Sequence, residues 1–213
     1  MERIELLHTL PQVFQGRETE SQIWLQDVTF QKGQTYLVEA NSGTGKSSLC
    51  SYIIGYRKDY LGTIRFDGKD IRTNRVSDWT FLRQHNLSLL FQELRLFPEL
   101  TAMENVRIKN GLTNYKSLKE IEAWFQRLGI ADKMNAKVGR MSYGQQQRVA
   151  MIRALVQPFD FLLVDEPISH LDDENSAIMG EIMMEESHKQ GAGVIVTSIG
   201  KHMSLPYDKT FSL

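Results

Sequence analysis

One short stretch, residues 40–48, combines small side chains, hydroxyl groups and a single lysine, which suits it to binding phosphate. A loop binds an anion through main-chain N–H groups that point inward, and bulky side chains would obstruct that approach. Gly43 and Gly45 give the loop this freedom. Lys46 can reach the β- and γ-phosphates of a nucleotide, and the hydroxyl of Ser47 is a suitable ligand for Mg²⁺. The competing interpretation is a flexible linker that happens to contain Gly-Lys-Ser.

The flanking residues favour phosphate binding. The apolar run 36–40 predicts a buried strand before the loop, and the apolar spacing of 48–54 predicts a helix after it. A strand, a small-residue loop and a helix form the usual context of a phosphate loop, and the helix N-terminus adds partial positive charge. The pattern normally opens with glycine where this chain has Ala40, a departure that costs little backbone freedom. We therefore predict a phosphate-binding loop.

Two adjacent carboxylates follow another apolar run. Residues 161–164 predict a buried strand, which ends at Asp165 and Glu166. Ligands collect at the carboxyl ends of parallel strands. Asp165 could hold Mg²⁺ directly or through water, and Glu166 could orient or deprotonate a water that attacks a γ-phosphate. The alternative is a solvated acidic turn in front of Pro167.

A hydroxyl and a glycine precede a predicted helix near the middle of the chain. Ser142 and Gly144 stand just before the apolar-periodic residues 149–155. Such a helix N-terminus can bind an anion, but the same residues also form an ordinary helix cap. Considered alone, this segment favours the cap.

The elements that must position these residues change character along the chain. Residues 23–30 alternate apolar and polar side chains and predict a half-buried strand, while 63–66 followed by Asp67-Gly68 predicts a strand and hairpin turn. Residues 87–91 predict a second buried strand. The first third should therefore contain antiparallel strands around one strand–loop–helix unit.

Helices dominate the next part, and strands then return. Residues 102–156 predict successive helices, such as 118–128, which should end near Gly129. Residues 161–164 and 193–197 predict strands separated by a helix at about 174–189. This alternation favours a parallel α/β sheet with a helical insertion.

The composition excludes several classes of protein. The 213 residues carry a formal net charge of -1 and no long basic block, so we expect no nucleic-acid partner. The single cysteine, Cys50, excludes an internal disulfide and fits a small buried apolar position. No apolar run approaches the roughly 18 residues of a membrane span, and the charged first residues do not suit a signal peptide. The protein is expected to be cytoplasmic.

Taken together, the ordered motifs resemble those of the ATPase domain of ATP-binding-cassette (ABC) transporters over essentially the whole chain. These motifs are the loop at 40–48, Leu90-Phe91-Gln92, Ser142-Tyr143-Gly144-Gln145, Leu163-Val164-Asp165-Glu166-Pro167 and Ser169-His170-Leu171-Asp172. The resemblance implies a P-loop NTPase fold of class α/β, with a RecA-like parallel sheet core, an antiparallel β subdomain and an inserted helical subdomain. It implies one ABC ATPase domain at 1–213, with its core at 1–91 and 157–213 and the helical subdomain at about 92–156.

The resemblance also implies roles in one nucleotide site. Phe14 would stack on adenine, although Tyr36 is a nearby aromatic alternative. Gln92 would contact Mg²⁺ or the attacking water, Asp165 would help to hold Mg²⁺, and Glu166 would be the catalytic base. The phosphates and Mg²⁺ would be held by Asn41, Ser42, Gly43, Thr44, Gly45, Lys46, Ser47 and Ser48.

A second set of residues would act across a dimer. In the family, the signature segment binds the γ-phosphate held by the opposite protomer, so that ATP joins two copies of the domain. The residues that would make these contacts are Ser142, Tyr143, Gly144 and Gln145, with Asp172 contacting the partner directly.

Two departures from the family pattern affect these expectations. Tyr143 stands where the signature usually has glycine, and the neighbouring Gly144 is kept. Ser198 stands where the family usually has a switch histidine that helps to fix the attacking water. The rate of hydrolysis is therefore in question, although ATP binding is not. His202 could replace that histidine only if the chain folds back at Gly200.

The resemblance therefore implies an ATP-hydrolysing subunit that binds Mg²⁺, forms a homodimer around two ATP molecules and drives a separate membrane-spanning permease. It would lie peripherally on the inner face of the cell membrane, most similar to subunits of small exporters, including the lipoprotein-releasing class. The alternatives are an ATP-gated scaffold with weak hydrolysis and a soluble cassette ATPase without a membrane partner. Leu96 and Phe97 would either face the permease or belong to the core.

Overall fold

The computed structural model describes residues 1–168 and 172–213, which form two β-sheets with helices packed around them. The strands are β1 (Arg3–Pro11), β2 (Asp27–Gln31), β3 (Thr35–Glu39), β4 (Tyr60–Phe66), β5 (Lys69–Asp70), β6 (Leu87–Leu90), β7 (Phe161–Asp165), β8 (Gly193–Ser198) and β9 (Lys209–Ser212). The helices are α1 (Lys46–Ile53), α2 (Val76–His85), α3 (Ala102–Asn110), α4 (Leu118–Arg127), α5 (Tyr143–Leu155) and α6 (Asp173–Gln190).

The larger sheet is parallel, as predicted, with the strand order β6-β7-β8-β3-β9. Every residue of β7 and β8 is buried. Strands covered on both faces read as continuous apolar runs, which is why these two were recognisable in the sequence. The phosphate loop follows β3, and the two carboxylates lie at the end of β7.

The smaller sheet is antiparallel, with the order β2-β1-β4-β5. Asp67 (φ 50°) and Gly68 (φ 84°) join β4 to β5. Both residues are left-handed, as a tight hairpin turn with the twist of its strands requires. The predicted hairpin is confirmed.

The predicted strand at 23–30 is wrong in its first half, because β2 begins only at Asp27. The hydroxyl oxygen of Ser21 accepts hydrogen bonds from the main-chain N–H groups of Ile23 (3.0 Å) and Trp24 (2.8 Å). Leu25 then adopts a φ of 61°. A serine hydroxyl that accepts hydrogen bonds from nearby main-chain N–H groups stabilises a turn, in competition with strand pairing. Here the turn forms, although the alternating pattern predicts a strand.

Helix α4 shows why the helical segment was predictable. Ser117 and Glu120 form a reciprocal capping box at its start, and Gly129 (φ 64°) follows its end. Ile121, Trp124 and Phe125 form its buried face. Helix α2 was not predicted, because Trp79 is its one buried residue and its apolar spacing is weak.

The parallel sheet separates two apolar cores. One face, which includes Leu162 and Val196, packs with α3, α4, α5 and α6. The other, which includes Leu163 and Ile195, packs with α1 and the antiparallel sheet. Cys50 lies in the second core as a small buried residue, and burial raises the pKa of its thiol. The boundaries of the helical subdomain at about 92 and 156 stay a prediction.

Candidate active site

The loop at residues 40–48 is held against two aromatic rings. Gly45 (φ 103°) is the N-cap of α1, and a Cβ atom placed on it would lie 3.1 Å from both Phe14 Cε2 and Trp24 Cζ2. The indole Nε1 of Trp24 donates a 2.9 Å hydrogen bond to the carbonyl of Thr44. The site therefore requires glycine at position 45, for backbone conformation and for space.

Trp24 holds the loop in place through its hydrogen bond to Thr44, a role that the sequence does not predict. The alternation of residues 23–30 predicts a strand, in which Trp24 would simply be a core residue. The signal that could have revealed it is the serine three positions earlier, because a Ser21 turn withdraws Trp24 from the ladder. Thr44 Oγ1 also donates to the carbonyl of Asn41 at 2.9 Å, which closes the loop on itself.

Three predicted functional residues converge from different elements. Lys46, whose exposure is only 5%, places its ammonium 3.2 Å from the carbonyl of Asn41 and 3.5 Å from Glu166 Oε1. Gln92 Nε2 donates to Glu166 Oε2 at 3.0 Å. The ammonium of Lys46, which could bind phosphate, is therefore paired with the carboxylate of Glu166, which could bind a water. The side-chain amide of Gln92 holds that carboxylate in position.

The end of β7 holds its two carboxylates differently. Asp165 is buried and accepts a hydrogen bond from the hydroxyl of Thr197 on β8. Glu166 has a φ of 49°, and its N–H donates to the carbonyl of Thr197 at 3.2 Å. A left-handed conformation is uncommon for a glutamate, and backbone strain of this kind concentrates at functional sites. The solvated acidic turn considered from the sequence does not describe the buried Asp165.

The donors near the loop suit a nucleotide with Mg²⁺. Ser47, Gln92 and Asp165 offer hydroxyl, amide and carboxylate oxygen, the ligand class that Mg²⁺ prefers. Among residues 1–168 and 172–213, no three or more His, Cys, Asp or Glu side chains are grouped to hold a metal. Ser48 contributes differently, since its Oγ accepts from Arg57 Nη1 at 2.9 Å.

Ser198 lies beside Glu166, whereas His202 lies elsewhere. The hydroxyl of Ser198 donates to the carbonyl of Lys201. His202 Nδ1 lies 3.5 Å from Glu39 Oε1, and its ring packs edge-on against Tyr207. A cavity of about 290 Å³ beside Glu166 is lined by Pro167, Ile168, Ser198, Ile199 and Lys201. The imidazole is absent from that lining, so the fold-back considered for His202 is not the arrangement of this structure.

The signature segment forms an ordinary helix cap in the single chain. Ser142 Oγ accepts from the N–H of Gln145 at 3.3 Å, and the Gln145 side chain accepts from the N–H of Ser142 at 3.0 Å. The carbonyl of Gly144 accepts from Arg148 Nε at 3.1 Å. The phenol of Tyr143 donates to the carbonyl of Gln92 at 2.9 Å. Tyr143 thus joins the signature helix to the residue that contacts Glu166.

Asp172 is the N-cap of α6 and accepts a 2.8 Å hydrogen bond from the N–H of Asn175, which lowers the pKa of its carboxyl. The other residues of its motif, 169–171, lie outside the described residues.

Phe14 is half-buried against the glycine loop, with the Arg17 guanidinium 5.8 Å from its ring. The alternative aromatic, Tyr36, lies in the core with an exposure of 1%, so it offers no face to a base.

A glycine-rich loop between a parallel strand and a helix, facing carboxylates at the end of another strand of that sheet, defines a P-loop nucleotide triphosphatase. The predicted fold class is confirmed: a parallel core carries an antiparallel sheet and additional helices. None of the helices in the described part of the chain is both long and apolar enough to cross a membrane.

Comparison with known proteins identifies the family. The family model described as "ABC transporter" matches residues 26–169. The lipoprotein-releasing system ATP-binding protein LolD of Geobacter metallireducens is 30% identical over 190 residues, 88% of this chain and 84% of its own length. An uncharacterized ABC transporter ATP-binding protein of Mycobacterium tuberculosis is 36% identical over 143 residues, 66% of this chain. That match covers 43% of the relative's length.

A solved structure extends the likeness to nearly the whole chain. The dimeric structure of MJ0796, a bacterial ABC transporter cassette, superposes with a TM-score of 0.76 at 24% identity, and the match covers 92% of this chain and 87% of the other. A post-hydrolysis state of the same cassette, bound to ADP and Pi, gives a TM-score of 0.73 at 25% identity. The chain belongs to the ABC transporter family, and its fold is that of the family's ATP-binding ATPase domain.

Proposed function

We propose that this protein is the ATP-binding and ATP-hydrolysing subunit of an ABC transporter. The observation that carries the proposal is the meeting of Lys46, Glu166 and Gln92 from three separate elements beside the glycine loop. Lys46 binds the β- and γ-phosphates, which draws its ammonium away from Glu166. Glu166 is then available to accept a proton from water, while Gln92 keeps its carboxylate in place.

Hydrolysis follows from that arrangement. The water oxygen bonds to the γ-phosphorus, its proton passes to Glu166, and the bond to the β-phosphate oxygen breaks to give ADP and phosphate. Mg²⁺, held through Ser47, Gln92 and Asp165, would supply positive charge against the phosphate oxygens. Phe14 would stack on adenine beside the loop. The main-chain groups at 41–48 would bind the phosphates as the helix dipole favours.

Two copies of the domain would close around two ATP molecules. Ser142, Tyr143, Gly144 and Gln145 would face the γ-phosphate held by the opposite protomer, and Asp172 would contact the partner. The dimeric structure of MJ0796 supports this arrangement. The capping box at Ser142 supports it too, because a capped helix N-terminus presents its remaining N–H groups in a fixed direction.

Replacement of the base tests the proposal. Glu166→Gln keeps the shape and the hydrogen bond to Gln92 but cannot accept the proton, so this variant should bind ATP and accumulate as an ATP-bound dimer. Light scattering with ATP and with ADP measures the dimer, and Glu122→Gln, an exposed position on α4, is the matched control. Hydrolysis at the wild-type rate by Glu166→Gln would remove Glu166 from the role of base.

The membrane partner would dock in a groove beside Phe97. Phe97 has an exposure of 51%, Ile108 51% and Leu112 54%, and all three line a cavity of about 260 Å³. Leu96 is half-buried against the core, so of the two apolar residues considered from the sequence only Phe97 is offered for contact. Through this contact a membrane-spanning permease would hold the protein on the cytoplasmic face of the membrane. The similarity to LolD favours a small exporter.

Membrane recruitment distinguishes this function from a cassette ATPase without a permease. Phe97→Asp should move the protein from the membrane fraction to the supernatant of its native cells and leave ATP binding intact. Phe81→Asp is the matched control, because Phe81 is also exposed (58%) but lies outside the groove. Equal membrane fractions for the two variants would contradict docking at Phe97. If Phe97→Asp also lost ATP binding, Phe97 would instead be needed for the fold, as a core residue is.

A second candidate function is an ATP-gated scaffold that dimerises and hydrolyses slowly. It is favoured by one observation: the hydroxyl of Ser198 is engaged by the carbonyl of Lys201. Steady-state turnover of the wild type separates the two, because a scaffold would dimerise with ATP yet show negligible phosphate release.

A further inference from the structure

The turn that carries Glu166 is held by a buried glutamine of helix α5. Gln147 is 1% exposed, and its side-chain Nε2 donates a hydrogen bond to the main-chain carbonyl of Pro167. Pro167 directly follows Glu166, and Gln147 lies on the helix that Ser142 caps. One side chain therefore joins the helix that begins at the signature segment to the backbone beside the proposed base.

The orientation of the Gln147 amide follows from its partner. A main-chain carbonyl can only accept, so the amide nitrogen must face Pro167 and the amide oxygen must point away. That oxygen, Oε1, is buried and has no hydrogen-bond partner among residues 1–168 and 172–213. An unpaired buried acceptor lowers stability. Gln147 thus adds one hydrogen bond to the fold and leaves one acceptor unpaired, so its net contribution to stability is small.

The backbone of Glu166 needs such support. Its φ of 49° is uncommon for a residue other than glycine, and a residue before proline prefers an extended backbone. A conformation of this kind persists only where the surrounding structure holds it. On the N-terminal side, the N–H of Glu166 donates to the carbonyl of Thr197 at 3.2 Å. On the C-terminal side, proline has no N–H to donate, and Gln147 holds the Pro167 carbonyl.

The next residue of α5 holds the chain beyond this turn. Arg148 Nη1 donates to Asn175 Oδ1 at 2.8 Å, and Asn175 Nδ2 in turn donates to the two carboxylate oxygens of Asp172 at 2.9 and 2.8 Å. Helix α5 therefore contacts the chain at Pro167 and, through Asn175, at Asp172. The turn of Glu166 and the start of α6 are both positioned against this one helix.

We propose, on the basis of the proposed function, that Gln147 is a positioning residue for the base. By holding the Pro167 carbonyl, it keeps Glu166 in the left-handed conformation from which its carboxylate meets Gln92 and the attacking water. Gln92 holds the side chain of Glu166, and Gln147 holds its backbone. Without Gln147, the backbone relaxes towards the extended conformation that a residue before proline prefers, and the carboxylate moves away from the water.

Gln147→Met tests this role, because methionine is similar in length and has no donor. It removes the unpaired Oε1 and leaves the Pro167 carbonyl without this hydrogen bond, so the midpoint of urea unfolding should change little. Steady-state kcat should fall by about tenfold or more, while the Kd of ATP from calorimetry should change by less than about twofold. Gln146→Met is the matched control and should keep the wild-type kcat, because the Gln146 amide donates to the carbonyl of Met141 at 3.0 Å and not to the turn of Glu166.

A double-mutant cycle separates positioning of the base from a general effect on the fold. In the Glu166→Gln background the base is absent, so adding Gln147→Met should lower the residual turnover by less than about twofold. Single-turnover phosphate release measures this turnover. A loss by the same factor in both backgrounds would show that Gln147 acts elsewhere and would overturn the proposal. An ATP affinity that falls as much as kcat in Gln147→Met would overturn it as well.

Two further outcomes concern the fold and the proposed function. If Gln147→Met does not fold, Gln147→Leu carries the same measurements, and unfolding of both variants would overturn the proposal by showing that the hydrogen bond serves the fold. Wild-type turnover by Glu166→Gln would overturn the assignment of the base, and this proposal with it. Wild-type turnover by Gln147→Met, with Glu166→Gln inactive, would overturn only the role of Gln147.

Discussion

The phenol of Tyr143 donates a 2.9 Å hydrogen bond to the main-chain carbonyl of Gln92, and the side chain of Gln92 in turn donates to Glu166 at 3.0 Å. The first residue of the signature helix is thereby connected through two hydrogen bonds to the carboxylate that we propose as the catalytic base. The family motif usually has glycine at position 143, which could not make this contact. Tyr143 therefore links the signature segment to Glu166, the proposed base, within one chain.

Tyr143→Phe should lower kcat about fivefold with little change in ATP affinity. The ring stays, but the hydroxyl that fixes Gln92 is lost, and one neutral hydrogen bond contributes about 1 kcal/mol. Steady-state ATPase and ATP titration calorimetry measure the two quantities. Tyr143→Gly should behave alike if the hydroxyl alone matters. An unchanged kcat in both variants would show that Gln92 is positioned without Tyr143.

Lys46→Ala should weaken ATP binding by about 100-fold or more, because the loop loses the cation that reaches the phosphates and Glu166 keeps its negative charge there. Titration calorimetry with ATP measures the loss, and the exposed Lys58→Ala is the matched control. Near-normal affinity in Lys46→Ala would contradict the assignment of the loop. Circular dichroism of both variants checks that the fold is kept.

Ser198→His should raise kcat at least several-fold without a comparable change in ATP affinity. An imidazole at the edge of the cavity beside Glu166 could donate to the γ-phosphate directly, whereas the Ser198 hydroxyl is bonded to the carbonyl of Lys201. That donor would act mainly in the transition state, so kcat should respond before binding does. His202→Ala should leave kcat unchanged, because His202 lies beside Glu39. Equal turnover of Ser198→His and the wild type would contradict the role given to position 198.

The sequence predicted those features that depend on local residue types. Strands β7 and β8 are continuous apolar runs, and the loop at 40–48 carries its own glycines and lysine. The predicted start of β2 was wrong because the Ser21 hydroxyl stabilises a turn, which the alternation of apolar and polar residues does not reveal. Helix α2 was missed because a helix with one buried side chain has almost no periodic signal.

In the candidate site, too, local motifs predict individual residues but not the contacts between distant ones. Glu166 and Lys46 were predictable from their own motifs, although their 3.5 Å approach was not, because it depends on how α1 and the end of β7 pack. The Tyr143–Gln92 contact joins residues 51 positions apart, and no local pattern contains it. The partner of Ser198 was equally hidden, since it depends on the bend at Gly200 (φ 69°).

The buried ion pair of Lys116 and Glu186 should stabilise the packing of the segment before α4 against α6. Lys116 Nζ lies 2.7 Å from Glu186 Oε2, the side chains are 2% and 5% exposed, and the phenol of Tyr115 also donates to Glu186 at 3.1 Å. Lys116→Met removes the cation and leaves a buried carboxylate unpaired, so the free energy of unfolding should fall by about 3 kcal/mol. Urea unfolding measures it, with the exposed Lys119→Met as control. The double variant Lys116→Met/Glu186→Gln should recover part of the loss, because no charge is then left buried. A double variant less stable than Lys116→Met by the full cost of Glu186→Gln alone would show that the two residues act independently.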